Sequence, residues 1–334
     1  MHITIRPAIV PQDYMAIARV LTAEMPLWPT MAQNLAYEDA VRDPKLRHTV
    51  FVAEVEAGDV EVPLYEDMGE DERAMVGVGT IGHDVFAPRE DRFKLDIRVH
   101  PQMQGRGVGK QLYDALMLHV EPLGVREITT EVWAAHPRAV RFVTDRDFGE
   151  VWRRIDWSLE VADFAFAPYA SLEESVRAMG IEIKTYEELA DDPQRLRKLY
   201  ELNKALWLDI PYGEPVMMTQ RSQEQFEQTE VRVAKFLPDA CFIAIHDGQY
   251  VGYSSLTRTG EYYDTDMTGV LPAYRGKGIA TMLKLSGIRY AQAHDNRAIM
   301  TMNDSVNTAM MALNRKLGFL QVGTIIRFAK RLNR

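Results

Sequence analysis

One stretch of this chain occurs twice, 171 residues apart, and the repeat limits the fold more than any other feature. Residues 95–120 read LDIRVHPQMQGRGVGKQLYDALMLHV, and residues 266–294 read DMTGVLPAYRGKGIATMLKLSGIRYAQAH. Each reads as a strand, a glycine-rich turn and an amphipathic helix, with Ile279, Met282, Leu283, Tyr290 and Ala291 on the packing face of the second helix. Residues 104–109 align with 275–280, Pro101 with Pro272, and Phe148 with Phe319, all at the same offset. An offset held from Pro101 to Phe148 indicates a duplicated domain, and two copies are too few for a solenoid. The 334-residue length also suits two domains of ordinary size.

The flanking pattern divides the chain into an N-terminal domain over 1–165, a connector over 166–180 and a C-terminal domain over 181–334. In the first half, strands are expected at 2–6, 48–55, 74–82, 93–99 and 127–132, and helices at 11–22 and 137–146, with residues 37–41 inside another. Residues 148–161 are expected to complete that half's sheet. The acidic segment 58–73 carries Pro63 and Gly69 and reads as an exposed hairpin extension or loop. Phe164, Phe166 and Tyr169 mark a packed connector. The pattern then restarts, with helices at 192–208, 222–228 and 306–317. Strands fall at 241–246, 250–256, 262–270 and 297–302, and 319–330 closes the domain. The fold class is α/β, a mixed sheet covered by helices in each half.

The glycine turns suggest phosphate binding. Glycine permits a tight bend, and the first N–H groups of the following helix lack intrahelical partners and favour an anion. A P-loop is excluded: three residues rather than four separate Gly105 from Gly109, and Gln111 follows Lys110. A dinucleotide fingerprint is excluded because Thr281 stands where its third glycine belongs and the turn follows a late strand.

The pattern Gln/Arg-x-x-Gly-x-Gly/Ala after a strand ending in Val-x-Pro (Val99-His100-Pro101, Val270-Leu271-Pro272) closely resembles the acetyl-CoA signature of the GNAT superfamily of N-acyltransferases. Residues 307–319, NTAMMALNRKLGF, look like that family's final helix and its Gly-Phe ending; in the first copy Asp147 replaces the glycine. The resemblance spans both halves and is similar to tandem acetyltransferases of the mycothiol synthase type. It implies two GNAT-fold domains and acetyl-CoA as co-substrate, with no metal. It implies pantetheine held by Ile97, Arg98 and Val99, and by Thr268, Gly269 and Val270, with a Val99 or Val270 N–H facing the thioester oxygen. Pyrophosphate is expected on Gln104, Gly105, Arg106, Gly107, Val108, Gly109 and Lys110, and on Arg275, Gly276, Lys277, Gly278, Ile279, Ala280 and Thr281. Asn307 matches a position that commonly touches pantetheine; its counterpart, His136, departs from the pattern. A tyrosine is common in the family five residues before the final Phe, where it protonates the leaving thiolate; here Asn314 and Val143 stand there. Asn314 is left to hydrogen-bond the sulfur. Trp207, Asp209 and Tyr212 fall where the family builds its substrate wall.

Asp264 and Asp266 lie two apart on a strand, hence on one face, and are the candidate bases for the acceptor amine, with Asp96 their N-terminal counterpart. Asn303 is a candidate for orienting substrate or for capping the next helix. Met300, Met302, Met310 and Met311 read as core filling. The net charge of −9 argues against general nucleic-acid binding. Cys241, the single cysteine, reads as a core thiol and excludes an internal disulfide. No apolar run approaches the about 18 residues of a membrane span and no signal-peptide core is present, so a cytoplasmic location is expected. The expected function is N-acetyl transfer to a small-molecule amine, mainly in the C-terminal half. A CoA-binding module with little catalysis is the alternative that the missing tyrosines keep open. Acylation of a hydroxyl is a second.

Overall fold

The strands called for by the sequence form and pair largely in chain order. A computed structural model describes residues 1–25, 29–56, 73–85, 88–211 and 221–332; most of the acidic segment 58–73, and Tyr212, lie outside them. The first elements are β1 (Thr4–Pro7), α1 (Tyr14–Glu24), α2 (Ala32–Val41), β2 (His48–Glu56), β3 (Arg73–Gly82), β4 (Arg92–Val99), α3 (Val108–Val120), β5 (Glu127–Trp133), α4 (Pro137–Thr144) and β6 (Gly149–Leu159). The connector carries a helix of its own, α5 (Ala170–Ala178). There follow β7 (Glu182–Thr185), α6 (Arg195–Trp207), α7 (Gln223–Phe226), β8 (Phe236–His246), β9 (Gln249–Thr259), β10 (Tyr262–Val270), α8 (Ile279–His294), β11 (Ile299–Asp304), α9 (Thr308–Lys316) and β12 (Leu320–Arg331).

The residues cluster into two units. The first comprises Met1–Val132, Arg141–Glu150 and Arg327–Arg334. Its strands run β1-β2-β3-β4-β5, with β12 next to β5. The pairs from β1 to β4 are antiparallel, and β4 with β5 is parallel. Ile17 and Val20 of α1 pack on Val52 and Val78 from one side. Val108 and Leu112 of α3 pack on Ala53 and Val76 from the other. Glycine in β3 permits this closeness: a Cβ at Gly79 would stand 2.7 Å from Leu116 Cδ1.

The second unit comprises Trp133–Val140 and Val151–Ile326. Its order is β12-β6-β11-β10-β9-β8-β7. Strands β7 to β10 are antiparallel, β10 and β11 parallel, and β11 and β6 antiparallel. Leu199, Leu202 and Leu206 of α6 cover one face with Cys241, Ile243 and Met267. Leu283, Leu285 and Ile288 of α8 cover the other with Val251 and Leu256. Val176 of α5 and Phe164, Phe166 and Tyr169 join that same core. The Tyr169 hydroxyl donates to Lys316 O at 2.9 Å, and Arg289 of α8 pairs with Glu173 of α5. The connector is therefore packed structure.

The closing strands correct the sequence-order expectation. Residues 151–159 of β6 belong to the second unit, where Ile299↔Leu159 through Asp304↔Arg154 define an antiparallel ladder. Residues 327–332 belong to the first unit: Leu332 N donates to Arg126 O at 2.8 Å, and the Arg327 guanidinium bridges Asp84 and Glu131. Alternation in sequence marks a strand but does not name its neighbour, which long-range packing chooses.

Both copies of the α4/α9 helix end turn alike. Gly318 takes φ 82° and donates to Arg315 O, and Phe319 donates to Asn314 O. Asp147 takes φ 63° in the matching place, with Phe148 donating to Val143 O. A left-handed conformation is costly with a Cβ and free for glycine. Asp147→Gly is therefore expected to raise stability by up to about 1 kcal/mol in denaturant melts, whereas Gly318→Asp lowers it.

Candidate active site

The two glycine turns have the same hydrogen-bond frame. In the second unit, Arg275 N donates to Pro272 O and Met282 N to Gly278 O at 3.0 Å. In the first, Gln104 N donates to Pro101 O and Gln111 N to Gly107 O. Between these donors, the amides of residues 276–281 and 105–110 come before the first intrahelical bond and are open to an anion. Glycine is required for a stated reason: Gly105, Gly107, Gly276 and Gly278 have φ of 78°, 87°, 74° and 82°. A side chain ties each turn to its strand: Arg275 Nε donates to Val270 O at 3.0 Å, and Gln104 Nε2 to Val99 O at 3.2 Å. The Arg275 guanidinium also pairs with Asp209, so both serve here as a brace from α6 to the turn. Lys277 sits over the Tyr274 ring, and Lys110 pairs with Asp114. Arg106 is exposed.

Each parallel strand pair parts early. β10 and β11 are in register at Tyr263↔Ile299 and Asp264↔Met300. β4 and β5 are in register from Arg92↔Glu127 to Lys94↔Thr129. Beyond these points β10 stays paired only with β9, and β4 only with β3. Leu271 N donates to Val251 O, and His100 N to Val76 O, both at or below 2.9 Å. Successive strand N–H groups point to opposite sides, so those of Thr268 and Val270, and of Val99 and Ile97, face the opening. Gly269 lets α6 approach, since a Cβ there would meet Leu206 Cδ1 at 2.9 Å.

In the second unit the opening is a cleft of ≈ 230 Å³. Thr265, Asp266, Met267 and Thr268 of β10 line it against Thr301, Met302, Asn303 and Asp304 of β11. Lys284 of α8, Asn307, Met310, Trp152, Arg154, Trp207 and Ile210 complete the wall. A larger recess of ≈ 460 Å³ beside β7 and α8, floored by Phe242 and Tyr290, shares no residue with it. β10 carries a bulge between Thr265 and Met267, which singles out Asp266. Asp266 also borders a small recess with Ser255, Thr257, Glu230 and Lys235, and Thr257 pairs with Asp264, so both aspartates turn to the α6 side. More than a third of Asp266 meets solvent, yet protein crowds its carboxyl. Desolvation raises its pKa above the ordinary carboxylate value, with repulsion from Glu230 and Asp264 adding to this and Lys235 and Arg221 opposing it. Asp264 does not line the cleft.

The other expected residues divide. Trp207 lines the cleft and stacks beneath the Arg221 guanidinium, 5.4 Å away. Asn307 lines it too, but its Oδ1 caps α9 by accepting from Met310 N at 3.2 Å. Asn303 does not cap: its Oδ1 accepts from Asn314 Nδ2 at 2.6 Å. Asn314 is wholly buried, and among the described residues its own Oδ1 has no hydrogen-bond partner. Met302, expected in the core, is 54% exposed and lines the cleft with Met310, whereas Met311 packs in the core. Cys241 is a buried thiol, and burial pushes its pKa upward. In the first unit, Arg98 holds Asp96 at 2.8 Å and Glu24 at 2.9 Å. His136 clusters with the second unit.

Lys284 has no signal in the sequence. Helical periodicity places it on a helix that is buried nearly all round, and nothing local marks it as unusual. It is 5% exposed, and its Nζ has no hydrogen-bond partner among the described residues and stands 4.7 Å from the Phe319 ring centre. Desolvation pulls its pKa from 10.5 to about 7. The residue at the same place in the first copy is Tyr113, and Val143 matches Asn314.

The Acetyltransferase (GNAT) family model matches residues 26–149 and 196–319. The chain belongs to the GNAT acetyltransferase family. It is a tandem GNAT protein and an acyltransferase, and membership implies acetyl-CoA as the co-substrate. A mycothiol acetyltransferase of Frankia alni is 25% identical over 74% of this chain and 77% of its own length. One from Streptomyces griseus is 28% identical over 67% of each. Among solved structures, a tandem GNAT protein from the clavulanic acid biosynthesis pathway matches 100% of this chain and 99% of its own at 18% identity, with a TM-score of 0.69. A GCN5-related N-acetyltransferase from Sphaerobacter thermophilus matches 99% and 96% at 17% identity, with a TM-score of 0.65. Among the described residues, no helix is long and apolar enough to cross a membrane, and no group of three or more His, Cys, Asp or Glu is placed to hold a metal ion.

A buried lysine makes GNAT stability depend on pH with a definite sign. The unfolded Lys284 side chain releases its proton near 10.5, the folded one near 7. Between those values the unfolded chain holds more protons, so Lys284 makes stability rise with pH across that window. Its cost is complete below pH 7, on the order of 5 kcal/mol. Lys284→Met is expected to raise the melting temperature most at pH 6 and to lose that advantage by about pH 10.5, as read by differential scanning calorimetry.

Proposed function

We propose that this chain transfers the acetyl group of acetyl-CoA to a small-molecule amine by direct attack, with the chemistry mainly in the second unit. The observation that carries this is the parting of β10 from β11 just past Asp264 and Met300, beside a turn whose open amides run from Gly276 to Thr281. Pyrophosphate rests on those amides, and pantetheine follows Thr268, Gly269 and Val270 into the cleft. The Val270 N–H faces the thioester oxygen, where negative charge grows as the amine adds. Holding amine and thioester together supplies much of the barrier reduction. Asp266, at the bulge, accepts the proton the amine loses; its raised pKa makes it a stronger base than an ordinary aspartate. Trp207 and Ile210 wall the acceptor side. Relatives named mycothiol acetyltransferases support a small acceptor, as does the ≈ 230 Å³ cleft. A cytoplasmic location accords with this reading.

The first unit is proposed to bind CoA or to serve as scaffold. Its turn has the same open amides, but Asp96 is engaged by Arg98, β4 has no bulge, and Val143 is apolar.

Gly105→Glu and Gly276→Glu form a matched pair, since both sites have positive φ and open space around a new Cβ. Gly276→Glu is expected to abolish thiol release from acetyl-CoA with an amine panel, and Gly105→Glu to leave most of it. The reverse pattern would move the chemistry to the first unit. Asp266→Asn is expected to lower kcat by about 100-fold or more and to remove the acid limb of the pH profile, while Asp264→Asn stays within a few-fold of the parent.

A further inference from the structure

The proposed reaction leaves one proton unassigned. The thiolate must be protonated as it departs; among the described residues that line the cleft there is no tyrosine, and Asn314 is not an acid. On that reading of the function, we infer that Lys284 is the proton donor to the leaving CoA thiolate, acting from the α8 side of the cleft while Asp266 takes the amine's proton from the α6 side.

The geometry argues for this division. Lys284 is on the helix that begins at the pyrophosphate turn, and it lines the cleft between β10 and β11 with Thr301 and Asn303. Among the described residues its enclosed ammonium has no hydrogen-bond partner and no paired carboxylate. The charged groups sharing its cleft are Asp266 on β10, Asp304 on β11 and Arg154 on β6. Asp304 Oδ1 accepts from Val306 N, and Arg154 pairs with Asp156. A cation kept there at a cost to stability needs a partner, and a thiolate formed during turnover provides one. Burial also brings its pKa to about 7, near that of an effective acid at neutral pH.

The step balances. The amine nitrogen bonds to the thioester carbon, and one N–H proton passes to Asp266. The C–S bond breaks, and its electron pair leaves on sulfur. Lys284 gives that sulfur a proton and becomes a neutral amine. It is reprotonated from water after CoA departs, and Asp266 returns its proton to water. The net reaction is amine plus acetyl-CoA giving amide plus CoA thiol.

The test needs no acceptor. Free CoA is bound to the full chain, binding is measured by calorimetry, and the thiol is titrated by the ultraviolet absorbance of its thiolate. Cys241 stays silent because burial holds its pKa up. With the parent protein, the bound thiol is expected to titrate at least one unit below its ordinary value of about 8.5. With Lys284→Met, CoA binds with similar affinity and the lowering is lost. Lys284→Tyr, which copies Tyr113 of the first unit, checks that the site accepts a large replacement and keeps a proton donor. In steady-state assays, Lys284→Met lowers kcat about 100-fold with KM for acetyl-CoA unchanged, and the alkaline limb near pH 7 disappears; Lys284→Tyr recovers part of the rate. Equal thiol titration in parent and Lys284→Met overturns the role of Lys284 alone. Absence of CoA binding to the parent overturns the proposed function and this inference together.

Discussion

The working part of this protein depends on two parallel strands that separate soon after they pair. A sheet normally satisfies every backbone group along a central strand. Here the amides of Thr268 and Val270 are turned toward a neighbour that has moved away, which leaves them available to a guest. The bulge at Asp266 falls where that separation begins. It breaks the alternation of β10 and puts a carboxylate at the rim of the cleft. The helix that follows adds its open amides at the outer end. One irregularity in a regular sheet thus opens a groove beside strand amides and turn amides that face it.

Duplication gave the chain two such frames, and the two have diverged in what fills them. The turns at Gly105 and Gly276 match bond for bond. Within the units the chemistry differs: Asp96 is neutralised by Arg98, whereas Asp266 keeps a raised pKa; Tyr113 and Val143 stand where Lys284 and Asn314 stand. The backbone geometry of the turn is the same in both copies because it rests on glycine φ values. Side chains that act on bonds are under no such constraint.

Much of the fold was legible because its demands are short-range. A left-handed φ asks for glycine, a helix start asks for donors left open, and alternation asks for a strand. These placed the turns, the helices and the packed connector. They did not reveal the partners of Asp209 and Asn303, whose polar side chains suggest a substrate contact or a helix cap. Asp209 is spent on Arg275 and Asn303 on Asn314, partners 66 and 11 residues away. Met302 misleads for the same reason: its residue type suits a core, but its strand edge borders a cleft.

The sequence alone determined the duplication, the two glycine turns and the family resemblance, since each is set by residue type at fixed local spacing. Tertiary structure alone decided which unit β6 and the end of β12 complete, that Asp266 sits at a bulge, and that Lys284 faces the cleft with no partner among the described residues. Strand partners and burial depend on contacts between residues far apart in the chain. A lysine on a helix reads as an exposed charge until the packing around that helix is known.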